Sequence, residues 1–211
     1  MFTALLIAIL IVAGAATVVG GGLVLASQRR RTLEGREEPR QLTDGRGNLL
    51  ERGISDLRVG DVITYDGSTF LVEGTLHYDE DGHRWAAGRI VDGDDVKWLV
   101  VGMERVGSGS VRILTPDDEL DVSGYPPETI VHGGVRYVLD KRGNATVKPE
   151  GDTGQVPGAV GLSAESVSRC RWWRYDTAGQ GCLIVEQWGS AYRALRGKSV
   201  NPVDIEMLPG S

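Results

Sequence analysis

The hydrophobic pattern divides the chain into two unlike parts. Residues 2–26 are apolar or small throughout, and no charged side chain occurs before Arg29. Beyond residue 53 the apolar residues come instead in short β-branched and aromatic runs, broken by Gly with Asp or Asn, the punctuation of antiparallel hairpins. As a helix, the first part would span roughly 37 Å against about 30 Å of hydrocarbon, which predicts a single transmembrane helix. It lacks the basic leading region of a signal peptide and is too long for one. Arg29, Arg30 and Arg31 follow directly, so the positive-inside rule places the N-terminus outside and residues 29–211 in the cytoplasm, with the three arginines at the lipid headgroups. Ala13, Thr17 and Gly21, like Ala16 and Gly20, are spaced by four, which gives the helix a small-residue face for self-association.

The second part predicts a series of hairpins. Residues 62–65 and 69–72 flank Asp66-Gly67, where both turn positions tolerate positive φ. Residues 74–78 and 83–90 follow, then 96–101 after Asp92-Gly93-Asp94-Asp95, and 111–114. The second half repeats the theme: 129–132 and 136–140 around Gly133-Gly134, 144–148 after Arg142-Gly143, and a long hairpin of 168–176 with 182–188. Residues 66–72 align with 133–139, and 98–101 with 182–185. The expected fold class is therefore all-β, two antiparallel meander or small barrel-like units preceded by the transmembrane helix. The organisation reads as 1–28 transmembrane helix, 29–53 flexible linker and 54–208 cytoplasmic β domain, divisible into units 54–120 and 125–208. Residues 189–211 show no strong helix signal.

Composition and charge sharpen this division. The overall net charge of -6 becomes -8 beyond residue 40, because the first 40 residues hold five Arg and three Glu. An acidic domain disfavours nucleic acid, whose recognition rests on neutralising phosphates. The Gly- and Pro-containing linker gives the domain a reach of roughly 25 Å from the bilayer. With only two Phe in the chain, the five Trp are expected mostly in the core. Trp172 and Trp173 are adjacent, so in a strand they point to opposite faces. At least one of them is expected to be partly exposed, which makes the pair the candidate partner contact.

Candidate chemistry is sparse. Cys170 and Cys182 lie on opposite arms of one hairpin but out of register, as expected for small buried thiols. His77, His83 and His132 have no metal-ligand spacing, and the acidic runs coincide with turns, which select Asp with Gly. The Gly-rich stretch 106–111 lacks the ending of a phosphate loop. No catalytic set, metal or cofactor is implied.

The run Leu57-Arg58-Val59-Gly60-Asp61-Val62-Ile63-Thr64-Tyr65-Asp66-Gly67, with Phe70 to Gly74, Trp85 and Trp98-Leu99, resembles a bacterial family of domains of unknown function. Its members have a G-D-x-I-x-Y-x-G opening, a Trp after an acidic hairpin and a W-L strand. The resemblance covers roughly residues 54–207 and implies a bacterial envelope-associated context, with members that look like partners in membrane-linked systems and no catalytic residues to carry over. The functional expectation is a membrane-anchored cytoplasmic binding or scaffold module that meets lipid through residues 2–26 and a protein partner through its β domain. The alternative is an enzyme or auxiliary subunit acting on a cationic small molecule.

Overall fold

The computed structural model describes residues 52–105, 111–122, 124–157 and 167–210. Eleven strands, joined mainly by tight turns, run β1 (Val62–Tyr65), β2 (Ser68–Glu80), β3 (His83–Asp92), β4 (Asp95–Val101), β5 (Val111–Pro116), β6 (Thr129–His132), β7 (Val135–Gly151), β8 (Ser168–Asp176), β9 (Gly181–Trp188), β10 (Ala191–Val200) and β11 (Ile205–Leu208). Asp66 and Gly67 both hold positive φ, at 51° and 78°, as do Asp81 and Gly82 at 52° and 85°. The mirror-image turn expected at Asp66-Gly67 is thus formed, and a second one stands at Asp81-Gly82, where strands β2 and β3 run closer together than the expected 74–78 and 83–90; the twist of such turns matches that of the flanking strands.

The two halves do not form two units. β2 pairs with β7 and β5 pairs with β10, so β2-β3-β4-β5-β10-β9-β8-β7 close into one antiparallel barrel of eight strands drawn from both halves. This corrects the expectation of two separate meanders or small barrels. Sequence-local hairpins do form, but the strands that end each meander find their hydrogen-bond partners in the other half; closure leaves the barrel itself without an edge, and β11 and β6 end the sheet outside it. The predicted membrane span and the linker up to residue 51, with Arg29, Arg30 and Arg31, lie outside the described residues. Among the described residues no helix is long and apolar enough to cross a membrane.

All eight barrel strands contribute to one interior cluster: Leu76 and Tyr78 from β2, Trp85 from β3, Trp98 from β4, Leu114 from β5, Val147 from β7, Trp172 from β8, Ile184 from β9 and Leu195 from β10. Tyr78 stacks on Trp85 at 4.9 Å, and Trp172 meets Trp85 edge-on at 5.7 Å. With Trp188 of β9, four tryptophans point inward and fill the barrel.

Two outer layers cover parts of the barrel wall. β2 and β7 each carry a bulge, between Val72 and Gly74 and between Leu139 and Lys141. A bulge resets which side chains face which way. Before it, Phe70 and Val72 join Ile63, Leu57 and Ile205 over Ile90, Leu99 and Ile113. In the other half, Tyr137 and Ile130 lie over Trp173, Tyr175 and Leu183. Past the bulges both long strands enter the barrel and meet at Gly74 and Gly151, where a Cβ on either would collide with backbone of the other's strand or its continuation. Asp61 pins the opening of the first half to the end of the chain: its buried carboxylate accepts from the Arg58 and Gly210 amides, both at 2.8 Å, and from Arg52.

A candidate binding groove on the bare barrel wall

Between the two outer layers, the wall formed by the later part of β2 and β7 and the start of β8 faces outward, with no further layer on it among the described residues. Strand alternation decides what it presents. Along β8, Cys170, Trp172 and Arg174 are buried, whereas Arg169 and Arg171 are exposed. Register places Thr146 beside Arg169, with Asn144 beside Arg171 on one side and Gln187 on the other. These residues line a groove of about 740 Å³, with Asp79, Asp81 and Gly189 also in its lining, a volume within the usual range for ligand sites.

The electrostatics of the groove are set by what is missing beside the guanidiniums. Arg169 and Arg171 have no acidic partner among the described residues, and their cross-strand neighbours Thr146, Asn144 and Gln187 are neutral hydrogen-bonding side chains. Asp79, the nearest acid in register, is already engaged: it accepts from the Gly82 amide at 2.9 Å and from Arg84 at 3.0 Å, and these bonds hold its carboxyl below the usual carboxylate range. Cys170 on the groove floor is no nucleophile. Burial, reinforced by the Glu186 charge, pushes its thiol far above the ordinary range, so the thiolate needed for reaction is suppressed.

The residues that look most like acid–base machinery lie inside the barrel and are consumed there. Glu186 accepts from Tyr78 Oη at 2.7 Å, from Trp188 Nε1 at 3.1 Å and from Arg193 Nη2 and Nε at 2.6 and 3.0 Å. Arg193 also lies over the Trp98 ring at 4.3 Å. Burial and the neighbouring Glu186 charge raise the Tyr78 hydroxyl well above its usual value. Burial disfavours the Arg193 charge, but Glu186 overcomes this and raises it. The void bounded by Tyr78, Trp172 and Glu186 is about 10 Å³, space for one water at most. A second network sits further along the barrel, where Arg174 donates to Glu104 at 2.7 Å and pairs with Asp140, and Arg112 also pairs with Glu104. Burial works to raise the Glu104 carboxyl, but its bonds and charge contacts with Arg112 and Arg174 leave it lowered.

The candidate contact residues fare differently from expectation. Trp172 and Trp173 do point to opposite faces, yet both faces are covered: they are 4% and 2% exposed. Trp172 fills the barrel, and Trp173 lies in the outer layer of the second half, edge-on to Tyr125 at 5.6 Å. The expected exposure of one of them is thus corrected, because the wall of a barrel has a second apolar side wherever an outer layer lies on it. The groove residues Arg169 and Arg171 escaped the sequence reading, although their alternate spacing within Arg169-Cys170-Arg171-Trp172 already places them on one face of a strand.

A closed eight-stranded antiparallel barrel, filled by aromatics and grooved on its outer wall, is the class that fold and site define. The chain belongs to the family described as Domain of unknown function (DUF4178), whose model matches residues 58–202 and so includes every barrel strand. Neither the curated proteins nor the solved structures contain a match.

Proposed function

We propose that this domain is a binding or scaffold module of a bacterial membrane-linked system, holding a protein partner in the groove of β7, β8 and β9. The observation that supports this reading is the contrast in the use of charge: Glu186, Arg193, Glu104 and Arg174 are engaged within the barrel, whereas Arg169 and Arg171 face the groove without an acidic partner among the described residues. A rigid closed barrel is also a suitable carrier for such a surface, since recognition costs less when the binding groups are already in place. The acidic turn residues Asp66, Asp81 and Asp92 lie at three different hairpin turns, an arrangement that favours the binding reading over a carboxylate site for a cationic small molecule.

The attachment of this module rests on the sequence. Apolar residues 2–26 would meet membrane lipid, Arg29, Arg30 and Arg31 the anionic headgroups, and the β domain would stand in the cytoplasm; small residues within 2–26 offer a route to self-association.

Photocrosslinking in intact membranes tests the binding reading. A photoreactive residue in place of Thr146 or Gln187 should yield a discrete protein adduct, and one in place of the exposed Val203, which lies outside the groove lining, should not. Equal labelling from all three positions, or none from the groove, would overturn it.

A further inference from the structure

Among the described residues most cations have an acidic partner: Arg52 with Asp61, Arg84 with Asp79, Arg89 with Glu73, Arg105 with Glu80, Arg193 with Glu186 and Arg196 with Asp117. Two that have none, Arg169 and Arg171, stand next to one another on one face of β8 and in one groove. In a domain whose acids outnumber its bases, neutralising partners were available in composition, and among the described residues none pairs with these two. The neighbours that are placed here, Thr146, Asn144 and Gln187, add hydrogen-bond donors and acceptors without cancelling charge.

We propose that the groove reads an extended acidic segment of a partner protein, with Arg169 and Arg171 each taking one carboxylate from two acidic residues separated by a single residue. This deepens the binding-module reading and rests on it. The match is one of period: side chains two apart on a strand share a face at a spacing of about 6.6 Å, and an extended peptide has the same repeat. Guanidinium forks suit carboxylates because two parallel hydrogen bonds form at once. Asn144, Thr146 and Gln187 can bond the peptide backbone between the anchors. The groove is concave and also carries Asp79 and Asp81 in its lining, which disfavours a flat anionic bilayer and admits a single chain.

The test is fluorescence anisotropy with the full chain in neutral detergent micelles. One labelled octapeptide alternates Glu with Thr; the other has the same composition with its glutamates in adjacent pairs, so that no two are separated by one residue. The alternating peptide should bind more tightly. Arg169→Ala and Arg171→Ala should each weaken it about tenfold or more, the usual weight of a hydrogen bond to a charged group, and Arg171→Lys should restore only part of the loss. Both positions are exposed, so unchanged circular dichroism should accompany these losses. Equal binding of the two peptides, or indifference to both arginines, would overturn the proposal. So would loss of phosphatidylglycerol-vesicle binding in the two variants while neither peptide binds, which would make the bilayer the occupant. If Thr146 crosslinks a partner but the alternating peptide fails, the acidic-segment proposal falls and the binding-module reading stands; silence in both experiments removes both.

Discussion

Arg171 and Arg174 lie three residues apart on β8, and strand alternation sends them to opposite sides of the barrel wall. Arg174 is buried and enclosed by Glu104, Asp140 and Asp176. Arg171 is exposed beside Asn144 and Gln187 with no acid in register. One arginine is committed to the fold, where removing a partner leaves a charge in a poorly solvating interior. The other is exposed to solvent and has no acidic partner among the described residues. The same contrast holds between Arg193, bound to Glu186 and lying over Trp98, and Arg169. Charge inside this barrel is therefore engaged in the core, whereas Arg169 and Arg171 on its outer face are exposed without an acidic partner among the described residues.

The sharpest way to break the comparison is to remove an internal partner. Glu186→Ala strands Arg193 together with the Tyr78 and Trp188 donors, and should cost about 3–5 kcal/mol in denaturant unfolding of the full chain, as expected for a broken buried pair. A cost below about 1 kcal/mol would show that water reaches this network and that inside and outside do not differ as described. Trp172→Ala should cost a similar amount, about 3–5 kcal/mol, by leaving a cavity in the aromatic core. A folded, fully stable Trp172→Ala variant would contradict the burial of that side chain.

Gly143→Ala probes the barrel where β7 passes Glu80. A Cβ there would overlap Glu80 Oε1 and press on Trp172, displacing the carboxylate from its 3.0 Å bond to the Asn144 amide. The expected cost is about 1–3 kcal/mol, the range for overpacking, read as a lower denaturation midpoint at unchanged slope.

Alkaline pH separates buried from exposed groups by titration. Burial holds Tyr78 well above its ordinary value of 10.0, raises Tyr175 from 10.0 to about 12 and raises Cys182 from 9.0 to about 12. Each is raised in the folded state, so the unfolded chain loses its proton first as pH rises. Stability is then fully present below the unfolded values and declines from about pH 9 upward, with the tyrosines adding from about pH 10. Tyr78→Phe should flatten the decline above about pH 10, although it lowers stability at neutral pH by removing the bond to Glu186. A denaturation midpoint constant from about pH 8 to pH 11 would contradict the burial of these groups. The smallest effect belongs to the wall itself: Arg171→Ala should change stability by no more than about 0.5 kcal/mol, and a larger loss would mean that this arginine serves the fold after all.

The hairpins were legible because turn chemistry is local. The Asp66-Gly67 turn is where Asp-Gly placed it, the link between β2 and β3 narrows from the expected residues 79–82 to Asp81-Gly82, and β1 and β8 occupy the expected residues. β7 was hidden because Arg142-Gly143 reads as a break, whereas Gly143 is there so that Glu80 and Trp172 can approach the strand. β10 was hidden because its inward positions include Arg193 and Gly197, which carry no apolar signal. Arg193 is inward because Glu186 awaits it across the ladder, and Gly197 because a Cβ would strike the Ile113 carbonyl. The groove was hidden by an average: a net charge of -8 beyond residue 40 says nothing of where two arginines lie without acids.

The sequence by itself determined the all-β character, the Asp-Gly turns, the family and the alternation that sets Arg169 and Arg171 on one face, since each depends on neighbours within a few residues or on residue order. Only the tertiary structure decided that the two halves share one barrel, that both Trp172 and Trp173 are covered, and that Arg171 is bare while Arg174 is enclosed. Those outcomes depend on the β2–β7 and β5–β10 pairings. Residues 67 to 89 positions apart meet across these ladders, and no local pattern records which distant strand will close a barrel.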